Sequence, residues 1–123
     1  MFKLIKKLYT KHLNALVEKY WNIYHFDMNP NHTSHNNEGD AFKHTFWQAE
    51  MTLWFGEAIA NKIGVAWEDN NPNNTPEERK MDLHNNSVGR EIGKQIKLWF
   101  RYDNKIAEKV MQAMRSGKLI TKP

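Results

Sequence analysis

The sequence contains no cysteine. Disulfides, thiolate-metal centres and a cysteine nucleophile are therefore excluded, and any metal must be held by histidine, carboxylate or amide oxygen. The same absence is neutral about compartment. No run of 18 apolar residues occurs, so no segment has the length and hydropathy of a membrane-crossing helix. No strand-period segment or internal repeat is visible. The spacing motifs HExxH, EF-hand loop, P-loop, GxSxG and GxGxxG are all missing. The opening Met1-Phe2-Lys3-Leu4-Ile5-Lys6-Lys7 has lysine, but neither an apolar run of signal-peptide length nor a small-residue cleavage site. It reads as mature sequence, and the expected location is cytoplasmic, or exported without a cleavable signal peptide.

Negative charge is also scarce. Fourteen acidic residues face 18 basic ones, giving a net charge of +4, and the pI is about 9.3. Such a balance favours an anionic substrate or surface, such as nucleic acid or lipid headgroups. What is abundant is aromatic: 12% of the 123 residues, with five Trp and six Phe. Each aromatic buries much area, so a chain of this length can build one core as a single domain, residues 1–123.

Periodicity points to an all-α bundle of about four helices with two polar Asn/Pro-rich loops. Residues 1 to about 25 form a basic amphipathic helix, with Ile5, Tyr9, Leu13, Leu16, Tyr20 and Tyr24 at steps of three or four. Lys3, Lys6, Lys7, Lys11 and Lys19 there oppose only Glu18. Such a helix either packs its apolar stripe on the core or lies on an anionic membrane. A polar loop over 27–39 holds His32 and His35. A second helix is expected from Asp40 to Ile63, apolar on most sides and hence central. After a second polar loop, Thr75-Pro76-Glu77-Glu78 is a helix start, with Thr as cap, Pro at the first position and Glu three after the cap. That third helix is expected to reach about Tyr102, with a stripe from Met81 to Trp99. A last one spans about Asn104 to Arg115 and stops at Gly117.

Two segments break local rules. Asp40 and His44 lie four apart on one face of the central helix, with Gln48 a turn further on. A carboxylate and an imidazole so placed can share a metal or form an oriented acid–base pair. Each alone is read more simply, Asp40 as an N-cap and His44 as a satisfied core histidine. The second segment is Met81-Asp82-Leu83-His84-Asn85-Asn86-Ser87-Val88-Gly89-Arg90. Asp, Asn and Gly are poor helix-interior residues, so their presence in a helix calls for another use. Asp82, Asn86 and Arg90 form a polar stripe beside Gly89 and Gly93, where another helix can approach closely. The central helix is expected to cross there, placing Asp40 and His44 opposite Asp82 and Asn86. Glu68 joins them by position. The oxygen-rich set suits Ca²⁺, Mn²⁺ or Zn²⁺. The plainer reading is a packing network in which Arg90 pairs with Asp82. Lys94, Lys97, Arg101 and Lys105 add a basic strip, but no helix-turn-helix signal accompanies it, so sequence-specific nucleic-acid binding is not expected.

Asp40-Ala41-Phe42-Lys43-His44-x-x-Trp47, a Glu-containing loop, and Met81-Asp82-Leu83-x-Asn85-Asn86-x-x-Gly89-Arg90 together resemble an uncharacterised helical domain. That domain occurs at the ends of bacterial polymorphic-toxin and Rhs-repeat-type secreted proteins. The resemblance covers residues 37–95. It implies that Asp40, His44, Glu68, Asp82, Asn86 and Arg90 belong to one site. It supplies no reaction. Where that domain has His-Glu, this chain has Trp67-Glu68, which removes one imidazole from the implied site.

The leading expectation is a small effector-type hydrolase acting on a phosphodiester or lipid ester. His44 is its general base or metal ligand. Asp40, Glu68 and Asp82 hold a metal or orient His44, with Asp40, His44 and Asp82 as the metal set. Asn85, Asn86 and Arg90 bind an anionic oxygen. The alternative is a helical binding module in which the polar cluster only specifies packing. The two differ in access: a catalytic His44 lines a cleft, whereas a structural one is sealed beneath Trp47 and Trp67. A third alternative is a membrane-surface protein that uses its first helix.

Overall fold

A computed structural model describes residues 2–26, 37–97 and 102–123. Among them the protein is all-helical: α1 (Phe2–Ile23), α2 (Glu38–Phe55), α3 (Glu57–Asp69), α4 (Pro76–Gln95) and α5 (Tyr102–Arg115). His32, His35, Trp99 and Arg101 lie outside the described residues, as do the side chains of Lys3 and Ile5.

The expected second helix is two helices, which raises the count from about four to five. The apolar pattern runs on past Phe55, but Gly56 takes φ 91° and ψ 159°, a conformation that side chains strongly disfavour. The Gly56 N–H still donates to the Thr52 carbonyl at 2.9 Å, and Ala60 N–H donates to the Gly56 carbonyl at 3.1 Å. One glycine thus ends α2 and begins α3 without losing backbone bonds.

The other ends follow from local chemistry. Thr75 caps α4, accepting from Glu78 N–H at 3.1 Å. At α2 the cap is Asn37, whose Oδ1 accepts from Asp40 N–H at 3.0 Å, so the expectation of Asp40 as N-cap is corrected. α1 closes with His25 at φ 57°, while Phe26 N–H reaches back to the Trp21 carbonyl at 3.0 Å. Gly117, at φ 78°, ends α5 in the same way: Lys118 N–H bonds the Ala113 carbonyl at 2.9 Å and Gly117 N–H that of Met114 at 3.1 Å.

α2 is the central helix and packs on each of the other four. Tyr20, Phe42 and Phe46 form an aromatic cluster with Tyr24 and Phe26. Trp21 Nε1–H donates to the Gly39 carbonyl at 2.9 Å, tying α1 to the start of α2. Ile92, Ile106, Val110 and Leu119 complete the core from the other side. No helix among the described residues is long and apolar enough to cross a membrane.

The crossing that builds the site is α2 over α4. A Cβ on Gly89 would sit 2.3 Å from the Thr45 carbonyl oxygen, and one on Gly93 2.5 Å from that of Ala49. Only hydrogens fit there, so the two backbones touch at the glycine pair.

A candidate metal centre between α2, α3 and α4

Because Asn37 supplies the cap, the Asp40 side chain is directed to His44, one turn on along the same face of α2. His44 Nε2 lies 3.5 Å from a carboxylate oxygen of Asp40 and 3.5 Å from Oδ1 of Asp82 on α4. One ligand atom from each of the three falls within 4.8 Å of the others. The close approach at Gly89 and Gly93 is what brings Asp82 across to α2.

Glu68, in the last turn of α3, stands beside Asp82 and interacts with it carboxyl to carboxyl. Its Oε1 accepts from Asn74 Nδ2 at 2.7 Å, and Arg79 pairs with neighbouring Asp69 at 2.7 Å. These two contacts tie the end of α3 to the start of α4. Glu68 Oε2 and Asp82 Oδ1 are buried and accept no hydrogen bond; the 3.5 Å approach to His44 is the ion-pair contact of Asp82 Oδ1. Buried carboxylate oxygens without donors are costly, and they cluster where a cation or a proton completes the arrangement.

The electrostatics agree. Burial pushes Asp82 from 3.8 up to about 7; the His44 charge opposes this, and the Glu68 and Asp40 charges reinforce it. Burial acts to lower His44, but its contact with Asp40 and the Asp82 and Asp40 charges outweigh that, leaving its pKa above 6.5. Both groups therefore hold protons more tightly than they would in water. A divalent cation at the same place would displace those protons.

Exposure is slight. His44 is 9% exposed, Asp82 5% and Glu68 3%. Trp47 stacks edge-on against Trp67 with ring centroids 6.0 Å apart, but Trp67 itself is exposed.

The other expected residues divide. Asn86 and Gln48 both face Gly64 on α3, where an added Cβ would lie 2.9 Å from Asn86 Nδ2 and 2.7 Å from Gln48 Nε2. Arg90 does not pair with Asp82. Its Nη1 donates to Gln48 Oε1 at 3.3 Å, and Gln48 Nε2 donates to the Ala60 carbonyl at 2.9 Å. Asn85 faces the C-terminal segment, not the cluster. Its amide donates to the Ile120 carbonyl at 2.8 Å while its Oδ1 accepts from Ile120 N–H at 2.9 Å. Both its polar functions are occupied by backbone, which corrects its assignment to anion binding. Lys94 of the expected basic strip is paired with Glu57 at 3.3 Å and Glu91 at 2.7 Å.

Sequence reasoning missed a further buried acid, Glu50, which interacts with Asp103 of α5. Burial, then the Asp103 contact and charge, push Glu50 from 4.5 up to about 9, against an opposing Trp54 hydrogen bond. The available signal was a lone Glu between Ala49 and Met51 on a helix that is apolar on most sides.

No solved structure matches this chain. Its sequence matches, over residues 5–118, the family described as a domain of unknown function (DUF6973). That span covers nearly the whole chain and includes the Asp40–His44–Asp82 cluster, so the protein belongs to this family.

Proposed function

We propose that Asp40, His44 and Asp82 hold a divalent cation, and that the domain is a small metal-dependent hydrolase. The observation that carries this reading is the convergence of Asp40, His44 and Asp82, one ligand atom from each lying within 4.8 Å of the others, with the buried Glu68 carboxyl against Asp82. Three buried carboxyl groups converge on one imidazole, more negative charge than that ring can neutralise. One nitrogen and two carboxylate oxygens suit Mn²⁺ or Zn²⁺ better than Ca²⁺, which prefers six to eight oxygens.

A cation held there would supply Lewis acidity and lower the pKa of a water. The chain supplies the rest. Glu68, against Asp82, would be the carboxylate to take a proton from such a water. Asn86 and Arg90, on the same stripe of α4, offer N–H groups to an anionic oxygen, and the Gln48 contact sets the Arg90 guanidinium in place. A phosphodiester or a lipid ester is the substrate class. The likeness of the two motifs to the toxin-type domain supports an effector setting.

Hydrolysis of bis(p-nitrophenyl) phosphate and of p-nitrophenyl esters, with Mn²⁺ or Zn²⁺ added, tests the reading. Turnover is expected to need the metal and to fall at least about 100-fold in His44→Ala and Asp82→Asn, the scale of losing a metal ligand or a charge-stabilising group. The deep burial of the cluster favours one competing reading, a purely structural site. Metal-dependent stabilisation without turnover on any ester would support that reading instead.

A further inference from the structure

The outward face of α1 is apolar where a solvated helix surface is normally polar. Leu4 is 59% exposed and Leu8 57%, one turn apart on one face. Among the described side chains of the helix, the first buried one is Leu13, with Val17, Tyr20 and Trp21 beyond it. The leucine pair therefore stands away from the core. Lys7 and Lys11 flank it and are exposed. Lys6, Lys7 and Lys11 also border a shallow depression with Thr10 and Asn14. The first acidic residue in the sequence is Glu18, and no ion pair among the described residues engages these three lysines. Beside the same half of the helix, exposed Phe55 meets Tyr9 edge-on with centroids 5.3 Å apart.

We propose that α1 docks on an anionic lipid bilayer, with Leu4 and Leu8 entering the headgroup–acyl boundary and Lys7 and Lys11 binding lipid phosphates. The charge pattern selects this occupant. Two exposed lysines without an ion pair among the described residues, beside two exposed aliphatic side chains, complement a diffuse sheet of negative charge. Phe55 adds a further exposed apolar ring beside this half of α1. This surface is independent of the Asp40–His44–Asp82 site.

Vesicle flotation of the full chain tests it. Binding is expected to vesicles containing phosphatidylglycerol and not to pure phosphatidylcholine, and it should weaken with salt. The double variant Lys7→Gln/Lys11→Gln should lose about 25-fold in partitioning, each lysine contributing about fivefold at such a surface. Leu4→Glu/Leu8→Glu should lose at least about 10-fold through lost apolar burial. Both variants should keep the wild-type circular dichroism and melting midpoint, because these side chains are exposed. His44→Ala should float as the wild type does, so failure of the metal reading leaves this one intact. No flotation, equal flotation with neutral vesicles, or an unaffected lysine variant would overturn the proposal. So would a dimer in solution that Leu4→Glu/Leu8→Glu makes monomeric while vesicles recover nothing, which would assign the face to a second copy of the chain.

Discussion

Replacing Glu50 by glutamine should change how stability depends on pH more than stability itself. Glu50 is 1% exposed, and its pKa is raised from 4.5 to about 9. A carboxyl whose folded pKa lies above its unfolded value contributes stability that is complete below the unfolded pKa. That stability is lost as pH rises towards the folded pKa. For Glu50 the window is therefore about pH 4.5 to 9. Within it, one proton more is bound by the folded state, a slope of about 1.4 kcal/mol per pH unit. Tyr9 and Tyr102, which also face this carboxyl, are pushed above their ordinary values, Tyr9 by burial and then by the Glu50 charge, Tyr102 by burial and the Asp103 charge. They do not titrate in the window. From pH 6 to 8.5 the Glu50 contribution should fall by about 3 kcal/mol at most, a large part of the 5–15 kcal/mol typical of a domain. The glutamine variant keeps the shape and an N–H towards Asp103 and loses the titration. Urea unfolding of both proteins at several pH values is the assay. Below about pH 4.5 the two midpoints should nearly coincide; by pH 6 the variant should already be more stable by about 2 kcal/mol, and the gap should widen further by pH 8.5. Parallel stability–pH curves for the two proteins would refute the reasoning.

Gly89→Ala forces a Cβ to within 2.3 Å of the Thr45 carbonyl oxygen, so it should cost about 2 kcal/mol or more despite alanine's better helix propensity, read as a lower melting midpoint. Gly56→Ala meets nothing within 4 Å but must adopt φ 91°; it should cost about 1–3 kcal/mol from backbone strain alone. Asn85→Ala orphans the N–H and carbonyl of Ile120 and should speed proteolysis and amide exchange near residues 118–123, at about 1–3 kcal/mol, without changing metal affinity. Metal affinity itself should rise between pH 6 and 8, because burial has raised Asp82 to about 7 and the ligands must lose their protons to bind. A flat profile would contradict that.

The helices themselves were legible because apolar spacing and caps coincide. Thr75-Pro76 marks the start of α4 by chemistry that needs no tertiary context, and Gly117 marks the end of α5. The crossing of α2 and α4 was legible too, since Gly89 and Gly93 four apart in an otherwise polar helix have few other uses. The break at Gly56 was not. Hydrophobic periodicity continues across it, and only the backbone conformation distinguishes a tolerated helix glycine from a hinge. Asn85 and Asn86 were inseparable in sequence, yet adjacent positions on a helix point about 100° apart. One therefore faces α3 and the other the C-terminal segment. Glu50 stayed hidden because its partner, Asp103, is distant in sequence and comes close only when α5 packs on α2.

The most direct test of the central claim is calorimetric titration of Mn²⁺ and Zn²⁺ into the wild type, His44→Ala and Asp82→Asn at pH 7.5. The account predicts one ion per chain in the wild type, proton release on binding, and affinity at least about tenfold weaker in each variant. Folded wild-type protein that binds neither ion, or variants that bind as the wild type does, would contradict a metal centre at Asp40, His44 and Asp82.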